Sequence, residues 1–339
     1  MDVQFPERVV LKEWLLKGQL SKIKELRRNL VGELLAQGED GYHVSLSLST
    51  FNEELIKAVF AYFAEQNPWL GQTTFLEFGS GARSEQVLNS DQDNGLLLPD
   101  DFAQDPLELE EITNQIVITL DGCGLALCTG KVMISEPEWR GTAQEWQKRI
   151  VYWLENPQER GGWQSGLILD FKPLAGPSQN AIGLREKVIK VIKKRPIIFR
   201  LLVEEMLQYK VPLSFWGGFI LEKKGEIKAL NLKKSILAHI INAARLLCLK
   251  YDFLPSNTIC RLKWLTEQKH IDSKLGKDLI DLWQWAQLKR LQQGFEQKKD
   301  VNYLNPYLLP KDEQKILKKR LRSLESFLDL VCASVSYGL

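Results

Sequence analysis

Two aspartates separated by a single residue are the feature of this sequence that most directly indicates chemistry. Asp91 and Asp93 come directly before the apolar run 94–98. On an extended strand, residues two apart point to the same face, so both carboxylates are expected to project together. Two anions this close repel each other unless a cation lies between them. Because Mg²⁺ binds carboxylate oxygens and keeps positions for water and phosphate oxygens, the pair predicts a metal site for a phosphate-bearing substrate.

A glycine-serine turn upstream of this pair is a candidate phosphate-binding element. Gly79 and Ser80 follow the apolar, strand-like run 73–78, and a helix is expected to begin near Gly81. N–H groups at the start of a helix attract anions, and the Ser80 hydroxyl is a further donor. Arg83 lies one turn further along and could hold phosphate charge. The turn is therefore predicted to bind a triphosphate beside the metal.

The same turn has a rival interpretation. The letters GSGARS match the GxGxxG pattern of dinucleotide-binding proteins at all but one position, and Asp100 follows about twenty residues later. Against this interpretation, Ser84 occupies the position of the third glycine. The helix would also have to continue through NSDQDN, a run of residues that favours turns and caps over helix interiors. The sequence contains no GxxxxGK(S/T), which excludes a P-loop.

The stretch GSGARSEQVLNSDQDNGLLL (79–98) resembles the polymerase-beta-type nucleotidyltransferase superfamily, in which a glycine-serine turn precedes a DxD strand. It is most similar to the branch that resembles the N-terminal catalytic domain of PII-protein uridylyltransferase, whose pattern runs GSxGRxEQ and then DQDN. Ala82 stands where that branch usually has glycine. Three later segments resemble the branch's C-x-G-x-V-M segment, its third-carboxylate strand and its helical substrate-binding domain, namely 128–150, 167–176 and 225–249.

The resemblance implies a third carboxylate and roles for the site residues. Asp170 would join Asp91 and Asp93 in holding two Mg²⁺ or Mn²⁺ ions, and it could accept the proton of the attacking hydroxyl. A lone charge in the apolar run around Asp170 would otherwise be costly. Lys131 follows a glycine-rich loop and is a further candidate for contact with phosphate. The substrate implied by the resemblance is a nucleoside triphosphate.

Three functions remain open at this point. The first is an enzyme that moves a nucleoside monophosphate from a nucleoside triphosphate to a hydroxyl of a protein or small-molecule acceptor, with a signalling role by analogy with PII uridylylation. The second is a catalytically silent module that binds a nucleotide for regulation, although a pure binder has no need of three carboxylates. The third is nucleotide addition to nucleic-acid ends. No arginine-rich arm or RNA-binding signature supports it, so nucleic acid is not an expected partner.

The composition is that of an ordinary globular protein with an uneven distribution of charge. Of 339 residues, 44% are apolar and 26% are charged. Residues 1–177 carry 15 Lys and Arg against 27 Asp and Glu, whereas residues 178–339 carry 30 against 16. The basic half could meet the acidic half, nucleotide phosphates or another anionic partner. Solvated helix faces would account for the asymmetry equally well.

The sequence favours a cytoplasmic protein without a membrane partner. Its first residues do not form a basic and then apolar leader, and no apolar run approaches the roughly 20 residues that a membrane span needs. The five cysteines contain no CxxC pair, which disfavours a zinc site. Reduced, mostly buried thiols are the prediction.

The pattern of elements predicts an α+β protein. A small mixed-sheet nucleotidyltransferase domain flanked by helices (49–177) is expected after an N-terminal helical segment (1–48) and before an all-helical C-terminal domain (178–339). Helical spacing is read over 7–37, 106–120, 181–193, 196–209, 233–250, 256–268, 273–297 and 311–335.

Several local predictions are specific enough to test. Thr50 with Glu53 matches a capping box that would open a helix. A helix over 137–156 would place Trp139, Trp146 and Trp153 on one buried face, because they are seven residues apart. Strand 167–171, a turn at 159–166 and a hairpin over 217–230 complete the predictions.

Overall fold

The computed structural model describes residues 8–156, 169–225, 227–298 and 300–336. Helices in this part of the chain are α1 (Arg8–Leu16), α2 (Leu20–Ala36), α3 (Gly41–Gln66), α4 (Gly79–Ala82), α5 (Pro106–Gly122), α6 (Ala143–Glu155), α7 (Gln179–Lys193), α8 (Pro196–Met206), α9 (Ala238–Lys250), α10 (Thr258–Glu267), α11 (Ser273–Phe295) and α12 (Lys311–Ser336). Strands are β1 (Thr74–Phe78), β2 (Asn94–Leu98), β3 (Arg140–Thr142), β4 (Phe171–Ala175), β5 (Glu222–Lys224), β6 (Ile227–Asn231) and β7 (Tyr303–Leu304).

The described residues form two compact units. The first comprises 8–39, 44–156 and 169–191, and the second comprises 40–43 and the described residues from 192 onward. The three-part division at residues 48 and 177 stays a prediction. No described helix is both long enough and apolar enough to cross a membrane.

A mixed sheet organises the first unit and confirms the α+β prediction. Its strand order is β3-β2-β1-β4. β1 pairs antiparallel with β2 and with β4, whereas β3 runs parallel to β2. Every residue of β1 is buried, as expected for a strand with neighbours on both edges and cover on both faces. The apolar runs at 73–78 and 94–98 therefore gave the two central strands correctly.

Some predictions about the segments around the sheet need revision, and others stay untested. The predicted turn at 159–166 and residues 167–168 of the predicted strand lie outside the described residues. Asp170 precedes β4 instead of lying within a strand, and Asp91 and Asp93 likewise precede β2. The glycine-rich stretch after α5 is a loop that makes an isolated bridge between Asp91 and Ala126.

The predicted tryptophan stripe is buried, although one of its members does not lie on the helix. α6 begins only after Thr142, which caps it, and the residues before it form a 3-10 turn and β3. The Trp139 ring centroid lies 6.0 Å from that of Trp146 and 5.1 Å from that of Trp153. Trp139 also packs on Phe78 of β1, at 5.4 Å between centroids. Contact with the sheet therefore contributes to the burial of Trp139. The helix predicted over 137–142 is wrong, because these residues form the 3-10 turn and β3.

The predicted capping box at Thr50 and Glu53 is also wrong. α3 is continuous from Gly41, and the Thr50 hydroxyl donates to the carbonyl of Leu46 within the helix at 2.9 Å. Asp40 caps the helix instead, because its Oδ1 accepts two backbone N–H hydrogen bonds of 2.9 Å each. Two serines before Thr50, Ser45 and Ser49, are fully buried within the same helix.

The second unit is helical apart from a small sheet. The predicted hairpin over 217–230 is present as β5 and β6, which pair antiparallel, and β7 joins them on the other edge of β6. A π-helical turn, Lys233–Leu237, leads directly into α9. β7 was not predicted, since two residues give too short an apolar pattern to detect.

Replacing Asp40 with alanine is expected to destabilise the protein by about 1–2 kcal/mol, because the cap of α3 and a hydrogen bond from Gln284 to Oδ2 are both lost. Thr50→Ala is the matched control and is expected to cost less than about 0.5 kcal/mol. Urea denaturation measures both values. An equal or larger loss in Thr50→Ala would show that the helix begins at residue 51 after all.

Candidate functional site

The aspartate pair lies in the segment 91–94, in which buried and half-buried side chains alternate. Gln92 and Asn94 are 3% and 2% exposed, whereas Asp91 and Asp93 are half-buried. Because residues two apart share a side of an extended chain, the two amides point inward and the two carboxylates point the other way. The pair therefore stands at the entrance of β2 with its carboxylates on one side.

The buried amides fix this arrangement through hydrogen bonds. Gln92 Nε2 donates to the carbonyls of Val117 and Leu125 at 3.1 and 3.0 Å. Asn94 Nδ2 donates to Gln92 Oε1 at 3.0 Å, and Asn94 Oδ1 accepts from the N–H of Ile134 at 2.8 Å. A buried amide left without partners would cost about 1–3 kcal/mol. These bonds hold the entrance of β2 against α5 and the loop that follows α5.

That loop brings a third potential ligand to the pair. A carboxylate oxygen of Asp91, a carboxylate oxygen of Asp93 and Sγ of Cys128 all lie within 4.8 Å of one another, and we call these residues the Asp-Cys cluster. Cys128 is 6% exposed. Burial, together with the charges of the two aspartates, raises the pKa of its thiol to about 12. The cluster at neutral pH therefore presents two carboxylates and a protonated thiol.

The donor set fits a divalent cation. Two adjacent carboxylates supply the oxygen donors that Mg²⁺ and Mn²⁺ prefer, and they leave positions for water and phosphate oxygens. A protonated thiol is a poor ligand for Mg²⁺, so only Asp91 and Asp93 would hold that ion.

Asp170 approaches the same end of β1 from the opposite edge of the strand. The N–H of Phe78 donates to the carbonyl of Asp93 at 2.9 Å, and the N–H of Gly79 donates to the carbonyl of Asp170 at 3.2 Å. The Asp170 carboxylate, which is 0% exposed, accepts a hydrogen bond from Nη1 of Arg83 at 3.2 Å. The backbone thus brings Asp93 and Asp170 to one turn, while the side chain of Asp170 is paired with arginine and lies outside the Asp-Cys cluster.

Arg83 and Gly79, both predicted to bind phosphate, are already engaged. Arg83 Nε donates to Glu85 Oε2 at 2.8 Å. Burial by itself would lower the pKa of Arg83, but the carboxylates of Glu85 and Asp170 outweigh burial and raise that pKa above its ordinary value. The Gly79 N–H is bonded to Asp170, and its φ of +58° is one that glycine adopts without strain. Phosphate binding by either residue stays a prediction that requires an exchange of partners.

Ser80 and Lys131 are more accessible. Ser80 is half-buried in α4, a single helical turn. Lys131 is exposed, and its N–H donates to the carbonyl of Cys128 at 2.9 Å. Its Nζ lies 3.9 Å from a carboxylate oxygen of Glu136. Lys131 and Cys128 therefore share one tight turn, and a phosphate contact by Lys131 stays a prediction.

Two family models match the chain. The model described as "Putative nucleotidyltransferase DUF294" matches residues 25–160, and the model described as "Putative nucleotidyltransferase substrate binding domain", DUF294_C, matches residues 196–335. The chain belongs to this nucleotidyltransferase family. The first match includes the Asp-Cys cluster, whereas Asp170 lies between the two matched stretches. No curated protein matches the chain.

Behind the glycine turn, the chain has a partly buried ionic cluster that the sequence pattern did not predict. Lys172 Nζ donates to Glu53 Oε1 at 2.6 Å and to the carbonyl of Gly81 at 3.1 Å, and it lies 3.5 Å from Glu77 Oε2. A Cβ on Gly81 would lie 2.1 Å from Glu77 Oε1, so only glycine leaves room for this carboxylate. One signal was available: Glu77 is the lone charge in the apolar strand TFLEF.

The N-terminal helices of the chain also support the site. Arg27 of α2 is 2% exposed, and its Nε donates to Asn52 Oδ1 at 2.7 Å. Asn52 Nδ2 in turn donates to Gln86 Oε1 at 2.8 Å, just after the glycine turn. Arg27 Nη1 donates to the carbonyl of Gly124 at 2.5 Å, before the loop that carries Cys128. Burial lowers the pKa of Arg27 to about 10, so the guanidinium stays charged at neutral pH.

Glu77 predicts a specific pH dependence of stability. Burial raises its pKa to about 7, although the nearby Lys172 acts in the opposite direction. Between the ordinary carboxyl value of 4.5 and about 7, the unfolded chain loses this proton while the folded chain keeps it. Stability therefore falls as pH rises through that window, by roughly 1–3 kcal/mol.

Glu77→Gln is expected to remove this part of the pH dependence, so its free energy of unfolding should fall less than that of the wild type between about pH 5 and about pH 8. Urea denaturation at both pH values measures the difference. Glu65→Gln alters an exposed carboxylate and should keep the wild-type dependence. Identical curves for wild type and Glu77→Gln would contradict the assignment.

Arg83→Met is expected to cost about 3–5 kcal/mol, because it removes a cation from the fully buried Asp170 carboxylate. Asp170→Asn in the same chain should recover part of this loss, giving a coupling energy of at least about 1 kcal/mol in a double-mutant cycle. Arg200→Met, which breaks an exposed ion pair, is the control and should cost less than about 1 kcal/mol. Additive effects at positions 83 and 170 would rule out the pairing.

Proposed function

We propose that the protein transfers a nucleoside monophosphate from a nucleoside triphosphate to a hydroxyl acceptor. The observation that carries this proposal is the pair of half-buried carboxylates, Asp91 and Asp93, held side by side beside a glycine-serine turn in a chain of the nucleotidyltransferase family. Like-charged groups in such contact suit a divalent cation, and the turn lies where a phosphate would meet that cation.

In the proposed reaction, the acceptor oxygen forms a bond to the α-phosphorus. The bond between that phosphorus and the oxygen bridging to the β-phosphate breaks, pyrophosphate leaves, and the acceptor hydroxyl gives up its proton. A bound divalent ion would lower the pKa of that hydroxyl and offset the charge on the phosphates. Asp91 and Asp93 would hold the ion, and Ser80 and Lys131 would contact phosphate oxygens.

Asp170 has the least direct role in this proposal. It would accept the proton or hold a second Mg²⁺ or Mn²⁺ ion, but either role requires that Arg83 give up or share its carboxylate. An arginine can exchange a carboxylate partner for a phosphate partner and keep its charge, because guanidinium binds both kinds of oxyanion well. Nucleotide binding could therefore move Arg83 onto phosphate and make Asp170 available.

The Arg83–Asp170 pair also supports the second candidate, a catalytically silent module that binds a nucleotide for regulation. In that case the arginine would keep Asp170 permanently engaged, and the site would hold the nucleotide without turnover. The two candidates differ in whether any label moves to an acceptor.

The acceptor would be chosen by the C-terminal part of the chain. Residues 196–335 match a substrate-binding domain, and this half of the sequence is basic, which favours an anionic acceptor or an acidic protein surface. The acceptor hydroxyl would belong to a protein or to a small molecule, with a signalling role for the transfer. Free cysteines throughout the described chain are in keeping with a reducing, cytoplasmic setting.

The test is incubation of the protein with each labelled nucleoside triphosphate and Mg²⁺ or Mn²⁺, with and without cell lysate, followed by detection of labelled protein, small molecule or RNA. Asp91→Asn and Asp93→Asn are expected to abolish transfer with an unchanged or raised melting temperature, because like-charge repulsion is relieved. Asp100→Asn, an exposed aspartate of the same segment, should retain activity.

Each alternative has its own outcome in this experiment. Nucleotide binding without any labelled product would favour the silent module. Transfer that survives both Asp91→Asn and Asp93→Asn would overturn the proposed site, as would unfolding of both variants, since the pair would then be structural.

A further inference from the structure

Cys128 is the member of the Asp-Cys cluster that a magnesium site does not use. Mg²⁺ takes oxygen ligands, whereas sulfur is a soft donor preferred by ions such as Zn²⁺ and Cd²⁺. Sγ of Cys128 lies within 4.8 Å of a ligand oxygen on each aspartate. Three protein ligands with a fourth position left open are the arrangement of many zinc sites that bind a further molecule.

The position of Cys128 is fixed by the backbone on both sides of it. Before it, the carbonyl of Ala126 accepts from the N–H of Gln92 at 2.8 Å. After it, the carbonyl of Val132 accepts from the N–H of Asn94 at 3.0 Å. The loop is thus bonded twice to the segment that carries the aspartates, and these bonds hold the backbone of Cys128 beside that segment.

A comparison with Cys123 shows that Cys128 is not simply a core thiol. Cys123 is 0% exposed, and the charged group that acts on it is the Arg27 guanidinium. The charged groups that act on Cys128 are instead Asp93 and Asp91. Burial beside two carboxylates offers no apolar packing advantage over an aliphatic residue, whereas the thiol adds one soft donor to two oxygen donors.

We propose that Asp91, Asp93 and Cys128 bind one thiophilic divalent cation, of the class of Zn²⁺ and Cd²⁺, in competition with Mg²⁺ or Mn²⁺. This inference rests on the proposed function in so far as the same two aspartates hold the catalytic ion. On binding, the Cys128 sulfur exchanges its proton for the metal, and the proton passes to solvent, so no oxidant or reductant is needed. Micromolar or lower soft metal would then block nucleotidyl transfer that Mg²⁺ supports.

The test is titration with CdCl₂ alone, without nucleotide, in a Cys260→Ser, Cys332→Ser background that removes the thiols outside the core. Ultraviolet absorbance from sulfur-to-cadmium charge transfer and calorimetry follow binding. One equivalent of Cd²⁺ with a thiolate band is expected. Cys128→Ser should remove the band and weaken Cd²⁺ binding at least about 10-fold, while Mg²⁺ affinity changes less than about 3-fold. Cys123→Ser is the matched control and should keep the band.

The outcomes separate this inference from the proposed function. A thiolate band that persists in Cys128→Ser, or a wild type that does not bind Cd²⁺, overturns the inference even if Mg²⁺-dependent transfer is observed. Transfer that survives Asp91→Asn overturns the proposed function and leaves the cadmium result to stand by itself. If Cys128→Ser does not fold, X-ray absorption of the zinc-loaded protein decides instead: one sulfur at about 2.3 Å is expected, and none would overturn the inference.

Discussion

Like-charge repulsion between Asp91 and Asp93 is the constraint that the rest of the site must accommodate. A carboxylate oxygen of one lies within 4.8 Å of a carboxylate oxygen of the other, so their charges repel. The amides of Gln92 and Asn94 hold the segment through hydrogen bonds to Val117, Leu125, Ile134 and each other, each worth about 1 kcal/mol. A cation bound between the carboxylates would relieve the repulsion and add stability.

The positive charges behind the glycine turn are committed to other acids. Arg83 is shared between Glu85 and Asp170, and Lys172 between Glu53 and Glu77. These pairs lock the turn and the start of β4 to β1 and α3. A phosphate bound at the turn would compete with Asp170 for the Arg83 guanidinium. Nucleotide binding would therefore change the environment of Asp170. The site is in this sense a set of exchangeable ion pairs on a rigid sheet.

The sequence predicted the parts of this arrangement that depend on local patterns. Alternation around Asp91 gave the side-by-side carboxylates, and the apolar runs gave β1 and β2 to within a residue. Trp139 was correctly predicted as buried but assigned to the wrong element, because a spacing of seven residues cannot distinguish a helix from a turn that packs on a sheet. The capping box at Thr50 failed because the helix is continuous from Gly41, and the Thr50 hydroxyl bonds within that helix instead of capping one.

Such local patterns do not predict contacts between side chains that are far apart in the sequence. Arg83 meets Asp170 across 87 residues, and Lys172 meets Glu53 across 119. Cys128 lies near the aspartates because two carbonyls of its loop accept hydrogen bonds from the segment that carries them. Local spacing carries no information on these contacts, although the lone Glu77 in an apolar strand did indicate that a buried partner was needed.

Anomalous diffraction from crystals soaked with Mn²⁺ and a non-hydrolysable nucleoside triphosphate analogue would show where the metal and the nucleotide bind. We expect a manganese peak within about 2.5 Å of carboxylate oxygens of both Asp91 and Asp93, with the triphosphate between the metal and Ser80. A peak at other residues, or a nucleotide bound away from the glycine turn with no metal at the pair, would contradict this expectation.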